Sequence, residues 1–373
     1  MPSTSEQLLS PIDRVYLARA CELAARGIGN TAPNPPVGAV VVRDGRTAGE
    51  GFHHRAGEEH AETLAIEQAG EAATGATLYV TLEPCAVPGR VPACAPRVRD
   101  AGIARVVIGT TDPNPTNSGL GATMLREAGV EVVLANDPVA NDLVQIFAGS
   151  LRTDRPYVAL KLAVSLDGMV ASRPGVRESL SGAEELHFVR DLRVAYDAVL
   201  VGSNTIRVDD PLLTVRPPHL RLRPFVRVVA CRTETLDESS RVFEPVDNYD
   251  RTVVLVPAGR RERFDNLDRV VDVVAVGKTD SHDLDIASAM GALRAAGVTS
   301  VLCEGGPALA GAMLRAGVVD RFYWSVAPRL LSNDRSVPAV RGVDLSDAPR
   351  ALRFDRPRLL GRDALMSGTF EDV

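Results

Sequence analysis

His60-Ala61-Glu62, then Thr77-Leu78-Tyr79-Val80-Thr81-Leu82-Glu83-Pro84-Cys85, and then Cys94 form the stretch on which the fold turns. The spacing over 60–69 predicts a helix, and the apolar, β-branched run over 77–82 predicts a strand. His60 and Glu62 open the helix, and Cys85 follows the strand almost directly. One imidazole and two thiolates give three protein ligands for a tetrahedral zinc whose fourth position stays open, the pattern of a catalytic metal site. Eight residues separate the thiols, among them Pro88, Gly89 and Pro92, which suit a compact loop that brings the second thiol back. Taken singly, a histidine is more often surface or core decoration and a cysteine a small buried hydrophobe. The set in this order is what points to metal.

Outward from that stretch, Val15, Leu17, Ala18, Cys21, Leu23 and Ala24 recur at helical spacing. A β-branched run over 37–42 ends at Asp44-Gly45, a hairpin signal. A strand over 105–109, a helix over 121–128 and a strand over 130–134 continue the rhythm and predict a largely parallel α/β sheet. The polar break over 149–156 marks a domain boundary. Beyond it, strands are expected over 158–164, 198–202, 226–230, 252–256, 271–276 and 301–304, with helices over 183–194 and 285–296. Two domains are expected, 1–150 and 156–373, and the 373 residues suit that number at ~100–200 residues per domain.

Hydrophobic residues make up 45% and charged residues 24%, which excludes a disordered or collagenous chain. No apolar run approaches the ~18 residues that a membrane span needs. The first residues carry no basic and apolar signal region, so a cytoplasmic protein without a membrane partner is expected. Five cysteines, odd and sparse, make no disulfide framework. A net charge of −6 and 4% aromatic residues give neither general attraction to nucleic acid nor platforms for stacked bases. No nucleic-acid partner is expected, and small molecules are the expected ligands.

The order H-x-E, P-C, C matches zinc nucleobase deaminases, in which the Glu moves protons and is not a ligand. The longer pattern adds Thr31-Ala32-Pro33-Asn34-Pro35-Pro36-Val37-Gly38, Gly51-Phe52-His53, Gly89-Arg90 and Asp112-Pro113-Asn114-Pro115. With these, residues 11 to about 135 resemble the bifunctional deaminase/reductases of riboflavin biosynthesis. The resemblance implies a cytidine-deaminase-like α/β/α domain with zinc on His60, Cys85 and Cys94, Glu62 as catalytic residue, and Asn34 and His53 on the substrate. The implied reaction removes an amino group from a phosphoribosylated diaminopyrimidinone. For Asn34 and His53 alone, turn capping is an equal reading.

Leu160-Lys161-Leu162-Ala163-Val164-Ser165-Leu166-Asp167-Gly168 and Val301-Leu302-Cys303-Glu304-Gly305-Gly306-Pro307 resemble the reductase half of the same family. That half has a dihydrofolate-reductase-like α/β fold and uses NADPH to reduce a ribosyl group to ribityl. From the residues alone, Gly305-Gly306 allows close backbone approach and Pro307 opens a helix whose N-terminus suits phosphate. The resemblance implies cofactor contacts at Ala163, Thr205, Asp209, Gly306, Pro307, Ala308, Leu309, Ala310, Gly311 and Ala312. It implies substrate contacts at Arg193, Leu213, Arg216 and Glu304, and a homo-oligomer joined through the reductase domain. The chain departs from the family at Ala86-Val87 (usually Ser-His), Glu59 (Pro), Met169 (Lys or Arg), and Arg177 and Ser179 (Ser and Trp). These departures leave two other functions open. One is a paralogue acting on a related pyrimidine in a specialised-metabolite pathway; the other is a binding or regulatory protein with a silenced reductase half.

Overall fold

Ser10 and Asp13 close a capping box at the start of α1 (Pro11–Ala25), with Pro11 at the first helical position. The computed structural model describes residues 9–215, 221–232, 236–245, 251–269, 271–277, 284–344 and 351–370. The chain divides into two compact units, Met1–Arg152 and Thr153–Val373.

In the first unit α1 precedes β1 (Gly38–Arg43), β2 (Arg46–Phe52), α2 (Ala61–Ala69), β3 (Thr77–Leu82), α3 (Cys94–Asp100), β4 (Arg105–Thr110), α4 (Leu120–Glu127), β5 (Glu131–Leu134) and α5 (Pro138–Arg152). The strand order is β2-β1-β3-β4-β5. β1 runs antiparallel to β2 and β3, while β3, β4 and β5 are parallel. Asp44 and Gly45, at φ 51° and 72°, make the two-residue turn between β1 and β2. Helices cover both faces, so β1, β3 and β4 read as nearly unbroken apolar runs. On one face Val40, Tyr79 and Val107 pack with Leu17, Ala20 and Leu23 of α1. On the other, Val41, Leu78, Val80 and Ile108 pack with Ala61, Ala65, Ala95, Val98 and Leu125 of α2, α3 and α4. This is the α/β/α sandwich that the resemblance implies.

Three details differ from the sequence reading. Val15 lies outside the apolar stripe of α1 and is 61% exposed. α3 is short and holds a proline in its first turn, so periodicity does not reveal it. α5 runs through the polar residues up to Arg152, and Ser150 Oγ stays in the helix by donating to Phe147 O at 2.9 Å. Small residues bring α2 close to the sheet. A Cβ on Gly49 would lie 2.1 Å from Ala65 O, and one on Gly51 would lie 2.5 Å from Ala61 O.

The second unit comprises β6 (Tyr157–Ser165), β7 (Met169–Ala171), α6 (Ala183–Ala195), β8 (Ala198–Gly202), α7 (Ser203–Asp209), β9 (Val226–Ala230), β10 (Arg251–Pro257), β11 (Asp272–Val276), α8 (Ile286–Ala295) and β12 (Ser300–Cys303). It ends with α9 (Pro307–Arg315), β13 (Arg321–Ala327), β14 (Val337–Pro338), β15 (Leu352–Phe354), β16 (Arg358–Leu360) and β17 (Asp363–Phe370). Among the described residues its main sheet has the order β11-β10-β9-β8-β12-β6-β13-β17-β15, with β16 paired to β17. The strands from β11 to β13 are parallel, and β17 is antiparallel to β13. One face packs α8 and α9 through Ile286, Met290, Leu293 and Met313. The other packs Ile206, Phe225, Phe264 and Leu267. Among the described residues no helix is long and apolar enough to cross a membrane.

Asp13 does more than cap. Its Oδ1 accepts from Tyr79 Oη at 2.9 Å and Arg105 Nη1 at 2.7 Å, which ties α1 to β3 and β4. Burial alone would raise its pKa, but Arg105, Ser10 and Tyr79 outweigh that and hold the carboxyl below the usual range. A group with a depressed folded-state pKa contributes stability above its unfolded pKa of ~3.9 and loses it as pH falls. The helical melt of the protein, followed by circular dichroism, is therefore expected to shift to lower temperature as pH drops from about 5 toward 2. Asp13→Asn should lower the melt at pH 7 and flatten this dependence; an unchanged dependence would show that Asp13 is not its source.

Candidate active sites

His60 is the N-cap residue of α2, Cys85 follows β3, and Cys94 is the first residue of α3. Three separate elements thus bring one donor atom each to the same place. His60 Nδ1 lies 3.2 Å from Cys94 Sγ and 3.7 Å from Cys85 Sγ, and all three donors fall within 4.8 Å of one another. Cys94 N also donates to Cys85 Sγ at 3.3 Å. The hydrogen bond between the two thiols pushes Cys85 toward thiolate and raises Cys94, and hydrogen bonding to Cys85 raises His60. Two soft sulfurs and one imidazole nitrogen, converging and largely shielded from water, fit zinc.

Glu62 lies in the first turn of α2, beside the donors and 4% exposed. Burial pushes its carboxyl up to about 7, where it can take up and release a proton near neutral pH. His53 is 2% exposed, and its ring meets that of His60 edge-on at 5.3 Å between centroids. His53 Nδ1 donates to Glu59 O at 3.2 Å, so Nε2 is the acceptor for Asn34 Nδ2 at 3.1 Å. Burial lowers the His53 pKa, which agrees with a neutral ring. Asn34 and His53 are therefore a hydrogen-bonded pair beside the donors.

Several residues here escape sequence reasoning because their partners are distant in the chain. Arg97 of α3 donates to Glu59 Oε2 and to Thr63 Oγ1, each at 2.8 Å, and so joins the segment before His60 to the helix that begins with Cys94. Glu59 is thus an ion-pair partner and not only a solvated helix end. The buried carboxylate of Glu83 accepts from the backbone N–H of Asp112, Gly119 and Ala122 at 3.1, 2.9 and 2.9 Å. Val87 is 48% exposed.

In the second unit the expected cofactor and substrate residues gather at the carboxyl ends of β6, β8 and β12, where ligands of open α/β sheets bind. Ala163 lies in β6, Thr205 and Asp209 lie in α7 after β8, and Glu304 with Gly306 follow β12. Gly306 is the N-cap of α9 and supplies no side-chain cap, with Pro307 next. A Cβ on Gly306 would find only Thr205 Oγ1 nearby, at 3.8 Å. This open helix N-terminus fits a phosphate-bearing dinucleotide. Ala308 is exposed and Leu309 and Ala312 are half-buried. Ala310, by contrast, is core, and Gly311 is pressed against Arg341 O, where a Cβ would lie at 1.8 Å.

Arg193 and Glu304 meet through both arms of the guanidinium at 2.7 and 2.8 Å, and Arg193 Nη1 reaches Thr214 O at 3.3 Å. Burial would raise the Glu304 pKa, but Arg193 outweighs it and holds the carboxyl ionised. Arg193 therefore spends its fork on a carboxylate and a carbonyl. Leu213 has φ 54° and a core side chain, so only its backbone can face a ligand. Arg216 lies outside the described residues. Of the departures, Arg177 stands 3.8 Å from Asp209, Ser179 O accepts from Arg329 Nη1 at 3.1 Å, and Met169 begins β7. Lys161 of β6 and Glu185 of α6, 9% and 0% exposed, meet at 2.5 Å, a pairing the sequence does not suggest, and the Lys161 charge also acts on Glu304.

Two family models match the chain. The RibD C-terminal domain matches residues 156–366, and the cytidine and deoxycytidylate deaminase zinc-binding region matches residues 11–110. The riboflavin biosynthesis protein RibD of Escherichia coli K12 is 38% identical over 375 residues, spanning 95% of this chain and 98% of its own. That of Bacillus amyloliquefaciens is 36% identical, with 97% of each chain covered. A solved Thermotoga maritima structure, described as a diaminohydroxyphosphoribosylaminopyrimidine deaminase/5-amino-6-(5-phosphoribosylamino)uracil reductase, has a TM-score of 0.81 at 32% identity, covering 96% of this chain and 99% of its own. Acinetobacter baumannii RibD, form 1, has a TM-score of 0.79 at 32% identity, covering 97% and 99%.

The donor set makes a direct prediction. Metal analysis of the purified protein should find about one zinc per chain, because three converging donors with an open fourth position make one tetrahedral site. Cys85→Ser and His60→Ala should each lose it. A folded wild-type protein that is active without metal would refute the assignment.

Proposed function

The chain belongs to the RibD family of bifunctional riboflavin-biosynthesis enzymes, and on that premise we propose that its two sites are the zinc centre of the first unit and the crevice at Glu304 and Gly306 of the second. The protein is a deaminase and reductase that uses zinc and NADPH. It removes the 2-amino group of 2,5-diamino-6-(5-phosphoribosylamino)pyrimidin-4-one and then reduces the ribosyl side chain to ribityl. Similarity along nearly the whole length of the relatives does not favour the specialised paralogue or the silent binding protein. We assign deamination to residues 1–150 and reduction to residues 156–373.

The convergence of His60, Cys85 and Cys94 around the buried Glu62 is the observation that carries this reading. When bound, zinc makes water acidic enough to act as a nucleophile near neutral pH. Glu62 takes up that proton on a carboxylate oxygen and passes it to the ring nitrogen beside the attacked carbon; it then carries the proton of the new hydroxyl to the departing nitrogen, which leaves as ammonia while a carbonyl forms at the same carbon. Asn34 and the neutral His53, locked together, orient the pyrimidine. Their mutual hydrogen bond costs the bound state no further ordering.

In the second unit NADPH, when bound, supplies the hydride. Gly306 and Pro307 leave the N–H groups of α9 open to its phosphate, with Thr205 and Asp209 alongside. Arg193 holds Glu304 ionised and fixed toward the substrate, and Thr214 holds Arg193 in turn. Ala310 and Gly311 support α9 from behind. The same reading makes this a cytoplasmic enzyme that self-associates through its reductase unit.

Two experiments test these roles. Glu62→Gln should keep its zinc and lose deamination by about 10²- to 10⁴-fold, measured as ammonia released, because the ligands remain while the proton carrier is gone. Wild-type rates in that variant would remove Glu62 from the mechanism. Calorimetric titration of the full chain should show saturable NADPH binding, weakened at least about tenfold by Asp209→Ala, a change of ~1.4 kcal/mol. Equal affinity in both proteins would move the cofactor site elsewhere.

A further inference from the structure

Cys85 is flanked by residues that the 112–122 segment holds from both sides. Before it, Glu83 takes the N–H groups of Asp112, Gly119 and Ala122. After it, Ala86 N donates to Asn117 Oδ1 at 2.7 Å. Asn117 Nδ2 donates to Asp112 Oδ2 at 2.8 Å, which fixes which end of the amide faces Ala86. The other Asp112 oxygen accepts Asn114 N at 2.8 Å. Between the two grips, α4 lies so near the Pro84 carbonyl that a Cβ on Gly121 would be 1.9 Å from it. Asn117 is 4% exposed and both ends of its amide are engaged.

We propose that Asn117 is a positioning residue for the zinc ligand Cys85, acting through the Cys85–Ala86 peptide and itself set by Asp112. This rests on the reading of Cys85 as a ligand. Neither residue 86 nor residue 87 carries a polar side chain, so the turn after Cys85 is anchored from outside by Asn117. A loop that bends back over eight residues to Cys94 can swing its first sulfur unless the peptide beside it is held. Groups that orient metal ligands in this way typically govern metal affinity by about 10- to 100-fold.

The test is the rate at which a colorimetric chelator strips zinc from the full-length protein, with ammonia release and thermal melts measured in parallel. Asn117→Val removes both hydrogen bonds, and Asn117→Asp keeps an acceptor for Ala86 but sets two carboxylates against each other. Both are expected to release zinc about tenfold faster or more. Combining Asp112→Asn with Asn117→Asp restores a donor and an acceptor between the two positions and leaves acceptors for Ala86 and Asn114. That pair should return release to within about threefold of wild type, a rescue that follows from matching donors to acceptors. Zinc release at the wild-type rate from the single variants, with or without a lowered melt, would overturn the proposal, and so would a double variant no slower than Asn117→Asp. A wild-type protein that binds no zinc would overturn both this inference and the ligand assignment beneath it.

Discussion

A carboxylate taken out of water must be paid for in hydrogen bonds, and Glu83 meets that demand with three backbone N–H groups. It directly follows β3, immediately before the Pro84-Cys85 turn. Because its partners lie in the 112–122 segment, the turn, α4 and the loop before α4 are fixed together. The other donors of the metal site are placed by the same surface, since α2 and α3 pack on the face of the sheet that α4 also covers. The turn that carries Cys85 is thus tied to α4 through the hydrogen bonds of one buried side chain that is not itself among the three converging donors.

The second unit solves a comparable problem with pairs of charges. Arg193 with Glu304 and Lys161 with Glu185 pair basic with acidic side chains that are largely shielded from water. Removing one member of such a pair leaves its partner uncompensated, which costs more than the pair itself contributes. The same arrangement holds the Glu304 pKa down where burial alone would raise it.

The departures from the family pattern carry different weights. Glu59 gains Arg97 as a partner, but both side chains are about two-fifths exposed, so solvent screens the pair and its share of stability is small. Ala86 loses a polar side chain, yet its backbone is held by Asn117. Arg177 brings a mostly exposed guanidinium near Asp209 without a close contact. Glu59 and Ala86 are thus held by neighbours, whereas Val87 stands half exposed.

By itself the sequence determined what depends on local chemistry. Apolar periodicity marked β3, β8 and β9 to the residue, and Asp44-Gly45 marked the hairpin, because strand burial and turn backbone are written in neighbouring side chains. That His60, Cys85 and Cys94 form a set was legible because residue type and order carry metal chemistry, and the structure brings their donor atoms within 4.8 Å of one another; Gly-Gly-Pro likewise marked the start of α9. Tertiary structure alone decided the supporting cast. Asn117 reaches Ala86 across 31 positions, Arg97 reaches Glu59 across 38, and Arg193 reaches Glu304 across 111. No spacing rule encodes such partners, because packing decides which distant side chains share a buried space. Side-chain direction was decided there too: the positive φ of Leu213 and the packing of α9 turn Leu213 and Ala310 into the core, which residue type alone cannot reveal.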